Sequence, residues 1–387
     1  MTAAADIFDH AADYDPAAGD EAFVGRLPAR WAVFLLAGES DVPLQLLCAR
    51  DLRSAVRRRL CIAPGAGPSR RADYRAILRR VRWTPCDSAF EANLLYLEAA
   101  RRLFPDGYAE LLSLRQPWFV HVDPDARFPQ YVCTKDAARR AGVAIGPFDD
   151  RRSAQRLVDL LTDVFDLCRH YHILVQAPHG RACAYKDMGR CAAPCDGSTS
   201  MAAYREAVRR SIGAVSEPET ALRREQDAMR RAAEALRFEE AARIRAGIEK
   251  LGELVRPPLR CARVLTDFRF VSLQAGPCPG TAKIFVVGPG VVRAAACLAF
   301  PPHDADDLAQ YCREAVLALA PDFSQAGLYR IALAARYASD GRPSAGVFVP
   351  LKEVDGRRLV EACRIVSATS ERRRGRRPSL HPPSEAP

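Results

Sequence analysis

Four cysteines inside one short, turn-rich stretch, Cys168 to Cys195, constrain this chain more than any other feature. The stretch reads C-RHYHILVQAPHGRA-C-AYKDMGR-C-AAP-C, and its last two cysteines flank a tight Ala-Ala-Pro. A thiolate is a metal ligand, and four converging thiolates complete a tetrahedral shell. A segment this loop-rich has little room to bury four thiols as plain hydrophobes, so the spacing points to a metal centre at Cys168, Cys183, Cys191 and Cys195. Zinc and an iron–sulfur core both accept four thiolates; the absence of the C-x-x-C pairs of common zinc ribbons tilts the reading toward the cluster. Arg181, Lys186 and Arg190 lie between these cysteines and offset the negative charge of such a centre. The remaining cysteines (Cys48, Cys61, Cys86, Cys133, Cys261, Cys278, Cys297, Cys312 and Cys363) are scattered singly and read as small buried side chains.

A length of 387 residues suits two or three domains, and a hydrophobic fraction of 49% supports real cores. No apolar run reaches membrane-spanning length and no signal peptide opens the chain, so the expected setting is cytoplasmic, with no membrane partner. In that setting the cysteines are reduced thiols or metal ligands rather than a disulfide framework. The formal net charge of +10 calls for an anionic partner, with nucleic acid the first candidate.

Residues 1–25 are small and acidic and read as a disordered leader. Over 26–112, WAVFLL and VPLQLLC flank the turn AGESD as a β-hairpin. ARDLRSAVRRRL follows as a helix with Leu52, Val56 and Leu60 on one face. A basic linker marked by Pro64, Gly65, Gly67 and Pro68 leads to the strand VRWTP. Asp87 or Ser88 then caps the long helix SAFEANLLYLEAARRLF.

This order, with the phrase ARDLRSAV, resembles the GIY-YIG nuclease domain at the head of the UvrC excinuclease family. The resemblance implies catalytic positions that this chain replaces. The two motif tyrosines fall on Phe34 and Gln45, the glycine after the second on Leu47, the next lysine on Cys48, the helix arginine on Ala55 and the metal-binding glutamate on Tyr96. Phe34 has no hydroxyl to ionise, Ala55 cannot reach a phosphate, and Tyr96 is a poor ligand for a hard cation. Two residues along a helix rotate a side chain by about 200°, so Glu98 cannot stand in for Tyr96. Arg57, Arg58 and Arg59 keep positive charge nearby. The expectation is a nuclease fold without a nuclease.

Over 113–200, WFVHV and FPQYVCT read as strands, GVAIGPF as a strand closed by a Gly146-Pro147-Phe148 turn, and SAQRLVDLLTDVF as a helix burying Leu157, Leu160, Leu161 and Phe165. The turn, the helix ending in phenylalanine, then Cys183, Gly189-Arg190-Cys191 and Pro194-Cys195 are similar to the same family at the family's spacing; only the gap from Cys168 to Cys183 is longer. The resemblance implies a [4Fe-4S] cluster on these four cysteines, with zinc as the alternative. Arg139, Arg140, Arg181, Lys186 and Arg190, interleaved with Tyr171 and Tyr185, are the candidate DNA contacts.

Residues 201–255 read as helical. After AAYREAVRRSIGAV come TALRREQDAMRRAAEAL and FEEAARIRAGIEKL, two amphipathic helices with so short a break that they must fold back antiparallel. Leu222, Met229, Ala233 and Leu236 form one stripe, Phe238, Ala241, Ile244, Ile248 and Leu251 the other, and the pair needs a further surface to cover it. The phrase from Leu236 to Arg245 resembles the UVR motif shared by UvrB and UvrC. That resemblance implies pairing with a UvrB-like protein, Phe238 being the apolar anchor and Glu239, Glu240, Arg243 and Arg245 the rim charges.

Residues 256–366 read as a small α/β domain: strands in CARVLTDFRFVSLQA, TAKIFVVG and VVRAAACLAF, a helix DADDLAQYCREAVLALA with Leu308, Tyr311, Val316 and Leu319 on its apolar side, and a strand YRIALAA. Asp304, Asp306 and Asp307 read as helix-start charges. Residues 367–387 read as a basic disordered tail. The fold class is therefore α+β and multidomain. Its parts are a degenerate GIY-YIG-like α/β domain, a cysteine-rich middle, a UVR helical hairpin and a mixed α/β domain at the C-terminus. The implied function is a shortened UvrC-like repair protein that binds DNA and a UvrB-type partner without incising. The rivals are an active endonuclease with a drifted site and a metal-stabilised regulator that binds no DNA.

Overall fold

The computed structural model describes residues 6–60, 74–138, 141–256, 259–342, 344 and 346–375. Three four-stranded sheets, antiparallel in every pairing, carry it. The expected mixed α/β class holds.

The first unit runs β1 (His10–Asp13), α1 (Asp20–Arg26), β2 (Ala32–Ala37), β3 (Pro43–Ala49), α2 (Leu52–Leu60), α3 (Tyr74–Ile77), β4 (Arg80–Pro85), α4 (Ala89–Leu103) and α5 (Tyr108–Leu111), in sheet order β1-β4-β2-β3. Every residue of β2 is buried, which is why it reads as an unbroken apolar run. Phe34 and Leu36 face α1 and α2, packing with Phe23, Leu52, Val56 and Leu60. Val33 and Leu35 face α4, packing with Leu97 and Ala100. Ser88 caps α4 by accepting from Glu91 N–H at 3.1 Å, and the Glu91 carboxylate accepts from Asp87 N–H at 2.7 Å, a reciprocal box that fixes the start of the helix.

The leader expected to be disordered is folded from Asp6 onward. His10 pairs with Trp83 and Asp13 with Arg80, so β1 covers the free edge of β4. Its acidic residues had hidden the apolar ones between them: Phe8, Tyr14 and Phe23 are all buried. Residues 1–5 and the basic linker with Pro64, Gly65, Gly67 and Pro68 lie outside the described residues.

The second unit contains β5 (Trp118–Val122), β6 (Val132–Thr134), β7 (Val143–Phe148), α6 (Arg151–Val164), the single turns α7 (Tyr171–Leu174) and α8 (Ala184–Asp187), α9 (Met201–Ser216), α10 (Pro218–Glu234), α11 (Phe238–Leu251) and β8 (Arg263–Val264). Its sheet order is β6-β5-β7-β8. Gly146-Pro147-Phe148 is not a turn but the end of β7. A Cβ on Gly146 would sit 2.7 Å from the Phe119 ring, so the glycine serves close strand approach. Pro147 is tolerated where the β5 register shifts between Trp118 and Val120. Strand β8 returns to this sheet after the hairpin. Leu259 and Val264 share a core with Ile145, Leu157, Ala214 and Leu251. The expected boundaries at 200 and 256 therefore do not separate packing units.

The third unit is β9 (Phe270–Ala275), β10 (Thr281–Gly288), β11 (Val291–Ala299), α12 (Ala305–Leu317), α13 (Gln325–Asp340), β12 (Val347–Pro350) and α14 (Gly356–Gly375), in sheet order β11-β10-β9-β12. The strand expected at YRIALAA is helix. Ser324 caps it, and Leu328, Ile331 and Ala335 recur at helical spacing in an alanine-rich run that strongly favours helix. On α12 the buried side is Ala309, Cys312 and Val316, whereas Tyr311 is exposed. Small residues face the sheet because α14 packs close by. Asp304 caps α12 as expected, accepting from Asp306 and Asp307 N–H. The tail expected to be disordered from 367 is helical to Gly375, with Val366 and Ser367 buried; residues 376–387 lie outside the described residues.

The first and third units share a core: Phe90 and Leu94 of α4 pack among Phe270, Phe285, Ile331 and Ala334. Lys283 pairs with Asp87 at 2.7 Å and Glu91 at 2.6 Å, and Arg330 pairs with Glu98 at 2.7 Å. Helix α4 is thus held between two sheets. No helix among the described residues is long and apolar enough to cross a membrane.

Candidate nucleic-acid and partner interface

The positions where the nuclease resemblance places catalytic groups are sealed or occupied. Phe34 is fully buried and Ala55 nearly so, both in the core beneath α1 and α2. Gln45 accepts from Tyr74 Oη at 2.7 Å and from Arg59 Nε at 3.3 Å. Cys48 is exposed and accepts from Trp31 Nε1 at 3.4 Å. Tyr96 lies across the sheet from Phe34, half-buried, and burial first and the nearby Cys48 second push its hydroxyl above the ordinary range. Glu98 is tied to Arg330 and Arg101.

The cysteine segment folds against α9. Leu167, Leu174, Tyr204 and Val208 form a small core under it, and Cys168 N–H donates to Tyr204 Oη at 3.3 Å. Cys168 Sγ donates to the His170 carbonyl at 3.5 Å and Cys191 Sγ accepts from Ala193 N–H at 3.4 Å; the two thiols lie near enough to act on each other, Cys168 being pushed up and Cys191 down. Cys195 is close enough for its charge to act on Cys168, and it feels that of Cys191. Its carbonyl accepts from Gly180 N–H at 2.8 Å, tying the two ends of the loop. Cys183 stands at the start of α8. Two thiols meet and a third is near, yet no set of three or more His, Cys, Asp or Glu among the described residues is arranged to hold a metal ion. As placed, the four do not form a finished metal shell. Of the scattered cysteines, Cys86, Cys312 and Cys363 are buried as expected, Cys133 and Cys261 are half-buried, and Cys48, Cys278 and Cys297 are exposed; Cys61 lies outside the described residues.

The candidate DNA contacts separate into three kinds. Arg139 and Arg140 lie outside the described residues. Lys186 is committed to Asp196 at 2.6 Å and Ser198 at 2.7 Å. Arg181 and Arg190 are exposed, with no ion pair among the described residues. Sequence reading missed what surrounds Arg190, a cleft between the cysteine segment, α9 and the two hairpin helices. Arg190, Arg210, Arg224 and Arg243 all line it, and none forms an ion pair among the described residues. Arg209 and Lys250, also on its wall, are spent on Asp125 and Asp163. Burial opposes the charged form of Asp163, but its bonds from Lys250 and Arg169 hold it below the usual carboxylate range. Asp166 and Glu225 dilute the positive charge, and burial raises Asp166. The four arginines come from separate chain segments, so no local charge run announced the cleft.

The hairpin α10–α11 has two unlike ends. Leu251 and Leu254 at its base join the core of the second unit, and Lys250–Asp163 and Arg156–Glu253 pin it there. At its tip Leu236 and Phe238 are 73% and 65% exposed. Leu236 is also left-handed, at φ 57°, a conformation that costs a branched side chain about 1–2 kcal/mol. Glu239, Arg243 and Arg245 are exposed and Glu240 half-exposed; Glu240 pairs with Arg237 at 3.0 Å and Arg245 with Glu249 at 3.7 Å. The buried stripe of α10 runs through Ala232 rather than Ala233 and stops short of Leu236.

Comparison with known sequences centres on this region. Residues 117–214 match the profile described as UvrC/Cho excinuclease, middle domain, and residues 220–254 match the UvrB/uvrC motif profile, UVR. The UvrABC system protein C of Syntrophotalea carbinolica is 25% identical over 234 residues, 59% of this chain and 37% of that protein. That of Moorella thermoacetica is 28% identical over 238 residues, 60% of this chain and 37% of its own length. That of Nautilia profundicola is 30% identical over 134 residues, 34% and 21% of the two chains. The chain thus spans little more than a third of the first two relatives. No solved structure matches.

Proposed function

We propose that this chain, whose residues 117–214 match the UvrC/Cho middle-domain profile and whose residues 220–254 match the UVR profile, acts in nucleotide excision repair as a DNA-binding, partner-docking protein that makes no incision of its own. The observation that carries this reading is the hairpin tip. A folded chain gains nothing from exposing Leu236 and Phe238 side by side, one of them in a costly backbone conformation, unless another surface covers them. The fitting partner is a UvrB-like protein with an apolar recess rimmed by charge, Phe238 filling the recess and Glu239, Glu240, Arg243 and Arg245 setting the orientation. DNA lies along the cleft of Arg190, Arg210, Arg224 and Arg243, with Arg181 outside it. Loss of incision is supported by Phe34, Ala55 and Tyr96, none of which supplies the base, phosphate ligand or metal ligand that cleavage needs.

The cysteine loop is proposed to hold an iron–sulfur cluster on Cys168, Cys183, Cys191 and Cys195, the Cys168–Cys191 contact being its support. Such a centre staples a loop that otherwise has only a small core. Broad visible absorbance of anaerobically purified protein supports it; a colourless sample containing zinc replaces iron with zinc.

Three measurements on the full chain test the proposal. Pull-down with a UvrB-type protein should be lost in Phe238→Ala; capture unchanged by that substitution refutes the docking. Gel-shift titration across salt concentrations should show salt-dependent DNA binding; none at low salt favours the regulator that binds no DNA. Plasmid nicking with magnesium or manganese should be absent; nicking abolished by Tyr96→Ala favours the drifted endonuclease.

A further inference from the structure

Beyond the hairpin base, a cavity of about 650 Å³ opens between the α9–α10 junction, the segment around β8, and β12. Arg263 lines it and is an unusual arginine. Burial is the main influence on it and lowers its pKa, its Nε is buried without an acceptor, and its guanidinium carbon lies 4.8 Å from the Phe270 ring centre. No hydrogen bond or ion pair engages its terminal nitrogens among the described residues, and Arg263 lines the cavity. A largely desolvated guanidinium with no hydrogen-bonded acceptor is a costly arrangement that a bound anion relieves.

The neighbours reinforce this. Arg260 donates to the Ser339 carbonyl, and Arg269 to those of Thr266 and Val316, so neither charge is neutralised by a carboxylate. Lys352 is neutralised by Glu217, and Glu353 by Arg358. Glu219 and Asp267 share the wall without ion pairs; Glu353 and Asp267 act on Arg263 only through their charge, with no carboxylate in ion-pair contact with it among the described residues. The hydroxyls of Ser216 and Thr266 add polar contacts, and Val215, Pro218, Leu254 and Leu317 supply an apolar wall. We propose that this cavity binds an organic phosphate of nucleotide size, its phosphate held by the Arg263 fork between Arg260 and Arg269 and its organic part against the apolar wall. The site shares only Glu217 with the arginine cleft and lies away from the hairpin tip, so it stands whether or not the repair reading does. Because Glu217 opens α10 and Lys352 follows β12, occupancy bears on how the hairpin base meets the third unit.

Isothermal titration of the full chain with inorganic phosphate and with adenosine 5′-monophosphate, at constant ionic strength, tests it. The nucleotide should bind saturably at one site, at least tenfold tighter than phosphate alone. Arg263→Met should fold, because it removes a desolvated charge, and should lose at least tenfold in affinity. Arg263→Lys keeps the charge without the fork and should also weaken binding, whereas Arg364→Ala, on a remote surface, should not. Absence of saturable binding of either probe by the wild-type chain overturns the proposal, as does wild-type affinity in Arg263→Met or Arg263→Lys. Equal affinity for phosphate and nucleotide overturns the role of the apolar wall.

Discussion

The N-terminal sheet and the arginine cleft invert one another. In the sheet, positions where the nuclease resemblance places polar groups hold Phe34 and Ala55, sealed in a core. In the cleft, Arg190, Arg210, Arg224 and Arg243 stand open, without ion pairs among the described residues. One surface has been closed over and the other kept available. The difference fits the proposal of structural work for the first and recognition for the second.

The sharpest way to break this contrast is Phe34. Phe34→Ala should cost about 3–5 kcal/mol, read from the urea midpoint, because the cavity lies between two layers. Phe34→Tyr returns the phenol and should still destabilise by about 1–3 kcal/mol, its hydroxyl buried without a partner, and should confer no nicking. A stable, nicking Phe34→Tyr protein would erase the distinction between the two regions. Next in size is Phe238→Ala. Partner affinity should fall by about 2 kcal/mol or more, roughly thirtyfold, while thermal stability of the isolated chain moves by less than about 0.5 kcal/mol.

Glu98 tests the closed side through pH. Burial works against its charged form, but bonds from Arg330 and Arg101 outweigh it and hold the carboxyl below its ordinary 4.5. A depressed carboxylate stabilises fully above that value and stops doing so as pH falls through the folded value. Glu98→Gln should cost about 1–3 kcal/mol at pH 7 and flatten the acid limb of stability below pH 4.5. The smallest expected effect is on the open side. Arg210→Ala with Arg224→Ala should weaken DNA binding up to about tenfold and lower the slope of log affinity against log salt by about 0.9 per lost phosphate contact, without changing stability.

What the sequence made legible follows locality. The helix over Leu52–Leu60, the Ser88 cap, the α6 face of Leu157 and Leu161, and the hairpin break near Arg237 are each set by a few neighbouring residues. Long-range pairing was not legible. Strand β1 exists because β4 offers it an edge, and β8 because β7 does. YRIALAA was misread because a short apolar run satisfies either period; the Ser324 cap and the alanine content on either side decide for helix. In the candidate site, the cysteines and the Phe238 phrase are contiguous and stood out. Arg210 and Arg224 did not, since only folding brings α9 and α10 beside Arg190.

Helix α4, gripped on both sides, has a practical corollary. An N-terminal fragment cut free of the third unit would bare Phe90 and Leu94 to water, leave Glu91 without Lys283, and leave Asp87 and Glu98 with only Arg30 and Arg101. Such a piece would be sticky and acidic on the side nearest Tyr96, so silence in a cleavage assay of the fragment would report its solubility rather than its chemistry. Any test of cleavage therefore needs the undivided polypeptide, whose third unit supplies the missing wall.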